Sequence, residues 1–231
     1  MARARKLFHN LKDGGPAQAS ETALRAGVAE TARRMSATGL SPGRSGNVSA
    51  RWAGGMLITP SGAAYDTLSA EDIVFVDDRG EPRPGDGVPS SEWRFHQAAY
   101  DARPDAGAVV HCHSRCATAL ACAHRSIPAF HYMVAVAGGT DIPLVPYATF
   151  GTDELAAHVA DTLSTRKACL LANHGQIATG ADLASALELA GEVETLAAQY
   201  LEVLKLGEVQ LLDEQEMARV LERFETYGKP A

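Results

Sequence analysis

His111 and His113 stand two apart inside the extended-looking run 108–113. The period-two alternation of a strand sends both imidazoles to one face. A third histidine, His174, sits in Asn173-His174-Gly175 between two short apolar runs, where the glycine permits a tight turn. Three neutral imidazoles suffice for a catalytic zinc-type site that keeps an open coordination position. Histidines hydrogen-bonded in a core share this spacing, so the pattern alone leaves both readings open. The second cluster is Pro89-Ser90-Ser91-Glu92, which leads into a helix beginning near Trp93. Its hydroxyls and carboxylate can cap that helix. The same free amides and hydroxyls can instead hold a phosphate, beside a carboxylate that does proton chemistry. Ser45-Gly46-Asn47 and Thr59-Pro60-Ser61-Gly62 offer further amide donors with little bulk, although each also reads as a turn. None of these loops carries the pattern of a P-loop or of a dinucleotide-binding glycine fingerprint.

The elements that must carry these groups are readable from periodicity. Residues 20–39 place Leu24, Val28, Ala32 and Met35 at helical spacing between a Ser20 cap and Gly39. Short extended runs at 47–52, 56–59 and 73–76 are joined by Gly- and Asp-rich turns that favour antiparallel pairing. Residues 81–89 hold three prolines and two glycines and form a loop. Helices are expected at 92–101, 115–123 and 153–163, the last capped by Thr152. Strands are expected at 108–113, 133–137, 144–145, 168–172 and 176–179. A long helix over 182–206 and a last one over 213–224 follow. Strands in the middle, with helices between them and at the ends, predict one α/β or α+β sandwich.

Composition narrows the function classes. The 231 residues are 46% apolar and 21% charged, enough to bury a sizeable core without disulfides. A net charge of −7 argues against a nucleic-acid binder. No apolar run approaches the ~20 residues of a membrane span, and none follows the basic N-terminus as in a secretory signal. A cytoplasmic protein is expected. The first 19 residues hold four Lys+Arg against one acid, so 1–18 read as a loosely held basic tail and 19–231 as a single domain. Cys112, Cys116, Cys122 and Cys169 form no Cys-x-x-Cys pair and read as small hydrophobes. Cys112 lies between two histidines, but in a strand it would point away from them. His9, His96, His124 and His158 have no supporting constellation in the sequence, and His131 reads as a structural or interface residue.

Taken in order, Ser-Gly-Asn (45–47), Thr-Pro-Ser-Gly (59–62), Ser-Ser-Glu (90–92), His-Cys-His (111–113) and Asn-His-Gly (173–175) resemble the class II aldolase/adducin-type sugar-phosphate lyases. Longer stretches at 89–100, 126–137 and 145–151, with 222–228 near the C-terminus, resemble the fuculose-phosphate branch of that family. The resemblance covers about residues 20–228. It implies a three-layer α/β sandwich with a central, mainly antiparallel sheet flanked by helices. It also implies one Zn2+ per subunit on His111, His113 and His174, with Glu92 as catalytic base and as a ligand of the resting metal. Gly46, Asn47, Ser61, Gly62, Ser90 and Ser91 match the phosphate-binding loops. Tyr132 matches a proton donor supplied by a neighbouring subunit. Tyr227 matches a tyrosine that closes over the site, and Phe150 an aromatic wall that selects the aldehyde. Ser61 stands where the family leads one to expect threonine, with hydroxyl chemistry retained.

The implied assembly is a fourfold homotetramer with sites at the interfaces. The implied reaction is reversible cleavage of a ketose 1-phosphate, foremost L-fuculose 1-phosphate, to dihydroxyacetone phosphate and L-lactaldehyde. Zinc on three neutral imidazoles stabilises the electron pair left by carbon–carbon cleavage, so no Schiff-base lysine is required. The same superfamily offers aldol cleavage of 5-deoxyribulose 1-phosphate, 4-epimerisation and decarboxylation of a 3-oxo-acid phosphate. Epimerases of this kind typically carry aspartate where Glu92 stands. A non-catalytic adducin-like scaffold predicts loss of the metal ligands, all of which are present.

Overall fold

The computed structural model describes residues 20–224. The strands are β1 (Asn47–Trp52), β2 (Gly55–Ile58), β3 (Val74–Asp77), β4 (Ala108–Cys112), β5 (Leu144–Val145), β6 (Ala168–Leu171) and β7 (Gly175–Gly180). They form one seven-stranded sheet in the order β3-β2-β1-β4-β7-β6-β5. Every pairing is antiparallel except β5 with β6. The helices are α1 (Glu21–Ala37), α2 (Trp93–Ala102), α3 (Arg115–Cys122), α4 (Asp153–Leu163), α5 (Leu183–Leu206) and α6 (Glu214–Phe224).

Alternation along the strands divides the core in two. Val48, Ala50, Val110, Cys112 and Ala178 face Val28, Leu120 and Val193 of α1, α3 and α5. Ile58, Val76, Val109, Cys169 and Ile177 face Phe95, Leu155 and Val159 of α2 and α4. The result is a three-layer α/β sandwich with helices on both faces of a mainly antiparallel sheet. Each fully buried Val, Leu, Ile or Phe stabilises it by about 1.5–3 kcal/mol.

The caps expected at Ser20 and Thr152 are present, and Asp182 caps α5 as well. Ser20 Oγ accepts from Ala23 N at 3.2 Å, Thr152 Oγ1 from Leu155 N at 3.3 Å and Asp182 Oδ1 from Ser185 N at 2.8 Å. The run at 133–137 is not a strand. It belongs to a 3-10 helix over Tyr132–Ala137, ended by Gly138 at φ +84. A short apolar run fits either period. Here Val134, Ala135 and Ala137 are buried, and the segment packs on α5 and α6 instead of joining the sheet edge. No helix among the described residues is long and apolar enough to cross a membrane. The N-terminal segment 1–18 and Tyr227 lie outside the described residues.

Candidate active site

Strand register assembles the histidines. The β1–β4 pairing sets Asn47 opposite His111, and the β4–β7 pairing sets Cys112 opposite Gln176. Residues paired across strands share a face, so Asn47 and His111 both meet the layer of α2 and α4. Cys112 points into the other core, as expected. His113 follows β4 directly, and His174 sits in the turn closed by Leu171 and Gly175. Within that turn Asn173 takes a left-handed φ of +55, which asparagine tolerates. His124 Nε2 lies 2.6 Å from Asn173 Oδ1 and braces it. A side chain at Gly175 would stand 2.5 Å from the Cys112 carbonyl oxygen, so glycine is required for β7 to approach β4.

The three imidazoles meet with ring centroids 4.8–4.9 Å apart. The tautomer of His111 follows from its partners. Its Nδ1 lies 2.8 Å from the Gln176 carbonyl, which can only accept, so Nδ1 carries the proton and Nε2 presents a lone pair. That Nε2 is 3.1 Å from His113 Nε2 and 3.3 Å from Glu92 Oε2. Glu92 Oε1 lies 3.1 Å from His174 Nε2, yet it is buried without a hydrogen bond among the described residues. Converging ring nitrogens and an orphaned buried carboxylate oxygen fit a divalent metal ion, which His111, His113 and His174 could hold.

The electrostatics favour an ionised Glu92 carboxylate beside a neutral His113. Burial pushes the Glu92 carboxyl up, but the adjacent His111 and His174 outweigh it and hold the group well below the usual carboxylate range. Burial, with His111 and His174 beside it, pushes His113 down to about 4. Contrary to the capping alternative, the Glu92 side chain makes no cap bond to α2 and turns into the site.

A cavity of about 210 Å3 adjoins the histidines. Gly46, Asn47, Ser61, Gly62, Ser90, Ser91, Glu92, His113, His174 and Phe150 all line it. The two loops at 59–62 and 88–90 are tied by Ser61 N to Val88 O at 2.9 Å and Ser90 N to Thr59 O at 3.0 Å. Gly46, at φ +77, lies so close to β4 that a Cβ would stand 2.6 Å from the His111 carbonyl oxygen. The Tyr65 hydroxyl donates to the Gly46 carbonyl and braces that loop from behind. Tyr132 is about half exposed, stacks on His131 at 4.9 Å, and does not line the cavity.

Three contributors escaped sequence reading. Arg44 lines the cavity and donates from Nη1 to Gly62 O at 3.2 Å. Tyr65 carries no motif that marks it. His96 is fully buried behind Asn47, where burial and nearby His111 push it down to about 3. Its i,i+4 spacing from Glu92 was the one available signal.

Three converging imidazoles and a buried carboxylate beside a cavity of small polar residues define a candidate metal centre. Residues 26–201 match the Class II Aldolase and Adducin N-terminal domain model, and the chain belongs to this family. The chain is 54% identical over 212 residues to a 5-methylthioribulose-1-phosphate/5-deoxyribulose-1-phosphate aldolase of Rhodospirillum rubrum, covering 92% of this chain and 96% of that one. It is 53% identical over 202 residues to an L-fuculose phosphate aldolase of Escherichia coli K12, covering 87% and 94%. A solved L-fuculose 1-phosphate aldolase superposes with a TM-score of 0.85 at 38% identity, covering 91% of this chain and all of that one. The chain is accordingly a lyase of the class II aldolase type.

Proposed function

We propose that the chain is a zinc-dependent aldolase that reversibly cleaves L-fuculose 1-phosphate to dihydroxyacetone phosphate and L-lactaldehyde. One observation carries this reading: a single buried carboxylate, Glu92, lies between a three-histidine cluster and a cavity lined by serines and glycines. When bound by His111, His113 and His174, zinc supplies electrophilic stabilisation of negative charge on the substrate's carbonyl and neighbouring hydroxyl oxygens.

The remaining steps belong to the chain's own groups. The loops bearing Gly46, Ser61, Gly62, Ser90 and Ser91 hold the phosphate, which places C3 and C4 against Glu92. Tyr132 of a neighbouring subunit takes the C4 hydroxyl proton as the C3–C4 bond breaks and the aldehyde carbonyl forms. The electron pair stays on C3, where Glu92, first protonated by water, delivers that proton to give dihydroxyacetone phosphate, while Tyr132, which starts as the phenolate, passes the C4 proton on to solvent. In synthesis, Glu92 takes that proton and Tyr132 returns one to the new alkoxide. The exposure of Tyr132 away from its own cavity supports delivery across an interface, and with it a homotetramer. Tyr227 would close the site, and Phe150, exposed at the cavity rim, would face the aldehyde end.

A second reading is 5-deoxyribulose 1-phosphate, favoured by the name of the Rhodospirillum rubrum relative. Both substrates share the phosphorylated ketose head and end in a methyl group, so they differ only toward Phe150. The test is aldol cleavage by zinc-loaded protein with and without chelator, on L-fuculose 1-phosphate, D-ribulose 1-phosphate, 5-deoxyribulose 1-phosphate and L-ribulose 5-phosphate. Chelator-sensitive release of dihydroxyacetone phosphate, fastest from the fuculose ester, is expected. A fastest 5-deoxyribulose ester would select the second reading. Epimerisation without release would overturn both.

A further inference from the structure

We infer that His96 is a positioning residue: through a buried hydrogen-bond chain anchored on Tyr100 and Ser49, it fixes the amide of Asn47 and thereby Glu92 and Ser90. The kinetic part rests on the proposed roles of Glu92 and Ser90. The structural part stands without them.

The chain arises because a strand and a helix run in step. Asn47 and Ser49 are alternate residues on one face of β1, while Glu92, His96 and Tyr100 are spaced by four along α2. Two strand residues advance about 6.7 Å and four helical residues about 6 Å, so the two stripes interleave over their length. Asn47 Nδ2 lies 2.9 Å from Glu92 Oε2 and 2.9 Å from Ser90 Oγ. Asn47 Oδ1 meets His96 Nε2. His96 Nδ1 lies 2.7 Å from Ser49 Oγ, and Ser49 Oγ lies 2.8 Å from the Tyr100 hydroxyl. His96 and Ser49 are 0% exposed, Asn47 3%, Tyr100 5% and Glu92 6%.

Only one set of proton positions satisfies this row. An ionised carboxylate can only accept, so Asn47 turns its NH2 to Glu92 and its oxygen to His96. That oxygen can only accept, so His96 carries its proton on Nε2. Nδ1 then presents a lone pair, Ser49 donates to it, and Tyr100 donates to Ser49. With the proton on Nδ1 instead, the Asn47 amide would turn over and set its carbonyl oxygen against the Glu92 carboxylate. The Glu92 carboxylate therefore sets the direction of the row, and Ser49 and Tyr100, whose hydroxyls turn to match it, hold the His96 ring in the place from which it fixes the Asn47 amide. Arg51, the next residue on this stripe of β1, donates to the Tyr100 carbonyl at 2.9 Å and closes the row at the surface.

Two measurements decide the matter. In the full chain labelled with 15N-histidine, the His96 signal, assigned by its loss in His96→Gln, is expected to report a neutral ring protonated on Nε2 at pH 7. An Nδ1-protonated ring or an imidazolium would overturn the proposal. In the zinc-loaded enzyme, His96→Leu is expected to lower kcat for ketose 1-phosphate cleavage about 10–100-fold, the usual cost of losing an outer-shell partner at a metal site. His96→Gln, whose amide nitrogen falls near Nε2, should recover most of that loss. In an Asn47→Ala background, His96→Leu should cost no more than about twofold, because residues acting as one unit are not additive. Equal losses in both backgrounds would make His96 a mere packing residue. Should His96→Leu fail to fold, Ser49→Ala takes its place in the same cycle with the same criterion. A wild-type chain that cleaves no ketose 1-phosphate would defeat the proposed function, and the tautomer would then decide the positioning role alone.

Discussion

Replacing Glu92 by glutamine removes the carboxylate while keeping the shape of the side chain. Asn47 Nδ2 donates to Oε2 at 2.9 Å, so the new amide must turn its oxygen to that side. Its NH2 then takes the place of Oε1, 3.1 Å from His174 Nε2, and donates to the lone pair that a metal needs. One net hydrogen bond of about 1 kcal/mol weakens metal binding about fivefold, which excess zinc restores. The proton transfer is not restored. Loss of a positioned general base costs about 100- to 10,000-fold, or roughly 3–5 kcal/mol in the barrier. The assay is exchange of the hydroxymethyl protons of dihydroxyacetone phosphate with deuterated water, followed by NMR at saturating zinc. Glu92→Gln should exchange at least about a hundredfold more slowly than wild type while holding a full complement of zinc. The reciprocal variant, Tyr132→Phe, should impair cleavage more than exchange. Exchange by Glu92→Gln within about fivefold of wild type at full occupancy would mean that another group moves this proton, and the assignment of Glu92 would be withdrawn.

Acid stability follows from His96, whose folded-state pKa falls from 6.5 to about 3. The unfolded chain takes up this proton below pH 6.5 and the folded one does not, so stability is complete above that pH and drains away toward pH 3. Between pH 6.5 and 5 the loss is about 2 kcal/mol. Urea midpoints of the metal-free protein should fall accordingly, and less steeply in His96→Gln; equal slopes would remove His96 as the cause. Arg44→Ala should raise KM for the ketose 1-phosphate and Ki for inorganic phosphate about fivefold, the worth of roughly 1 kcal/mol for an exposed ionic contact, with kcat unchanged. Equal inhibition of both proteins by phosphate would place Arg44 outside the anion's reach. Gly46→Ala must seat a Cβ 2.5 Å from Ser41 Oγ at a left-handed φ of +77. It should lower unfolding free energy by about 2–4 kcal/mol, and a change below about 0.5 kcal/mol, the range of a surface substitution, would contradict the close approach of this loop to β4.

The three-histidine cluster was legible because its signals are local. His111 and His113 share a face through the period of one strand, and His174 sits in a turn that its own neighbours Asn173 and Gly175 announce. The loops that line the cavity were legible for the same reason, since Ser61-Gly62 and Ser90-Ser91 are small, polar and bounded by Pro60 and Pro89. Two features lay beyond local signals. The run 133–137 has the composition of a strand, yet it packs on α5 and α6 and forms a 3-10 helix, a choice made by tertiary packing that its own residues do not announce. His96 looked isolated because its partners, Asn47 and Ser49, are 49 and 47 residues away in the chain. Their meeting depends on the β1–β4 register that pairs Asn47 with His111, and that register is set by the hydrophobic alternation of both strands rather than by any motif. A one-residue slip of β1 would swing Asn47 and Ser49 into the layer of α1 and α5. Glu92 would then lose its Asn47 amide donor and His96 both of its partners. The same alternation that builds the two cores thus also orients the Glu92 carboxylate.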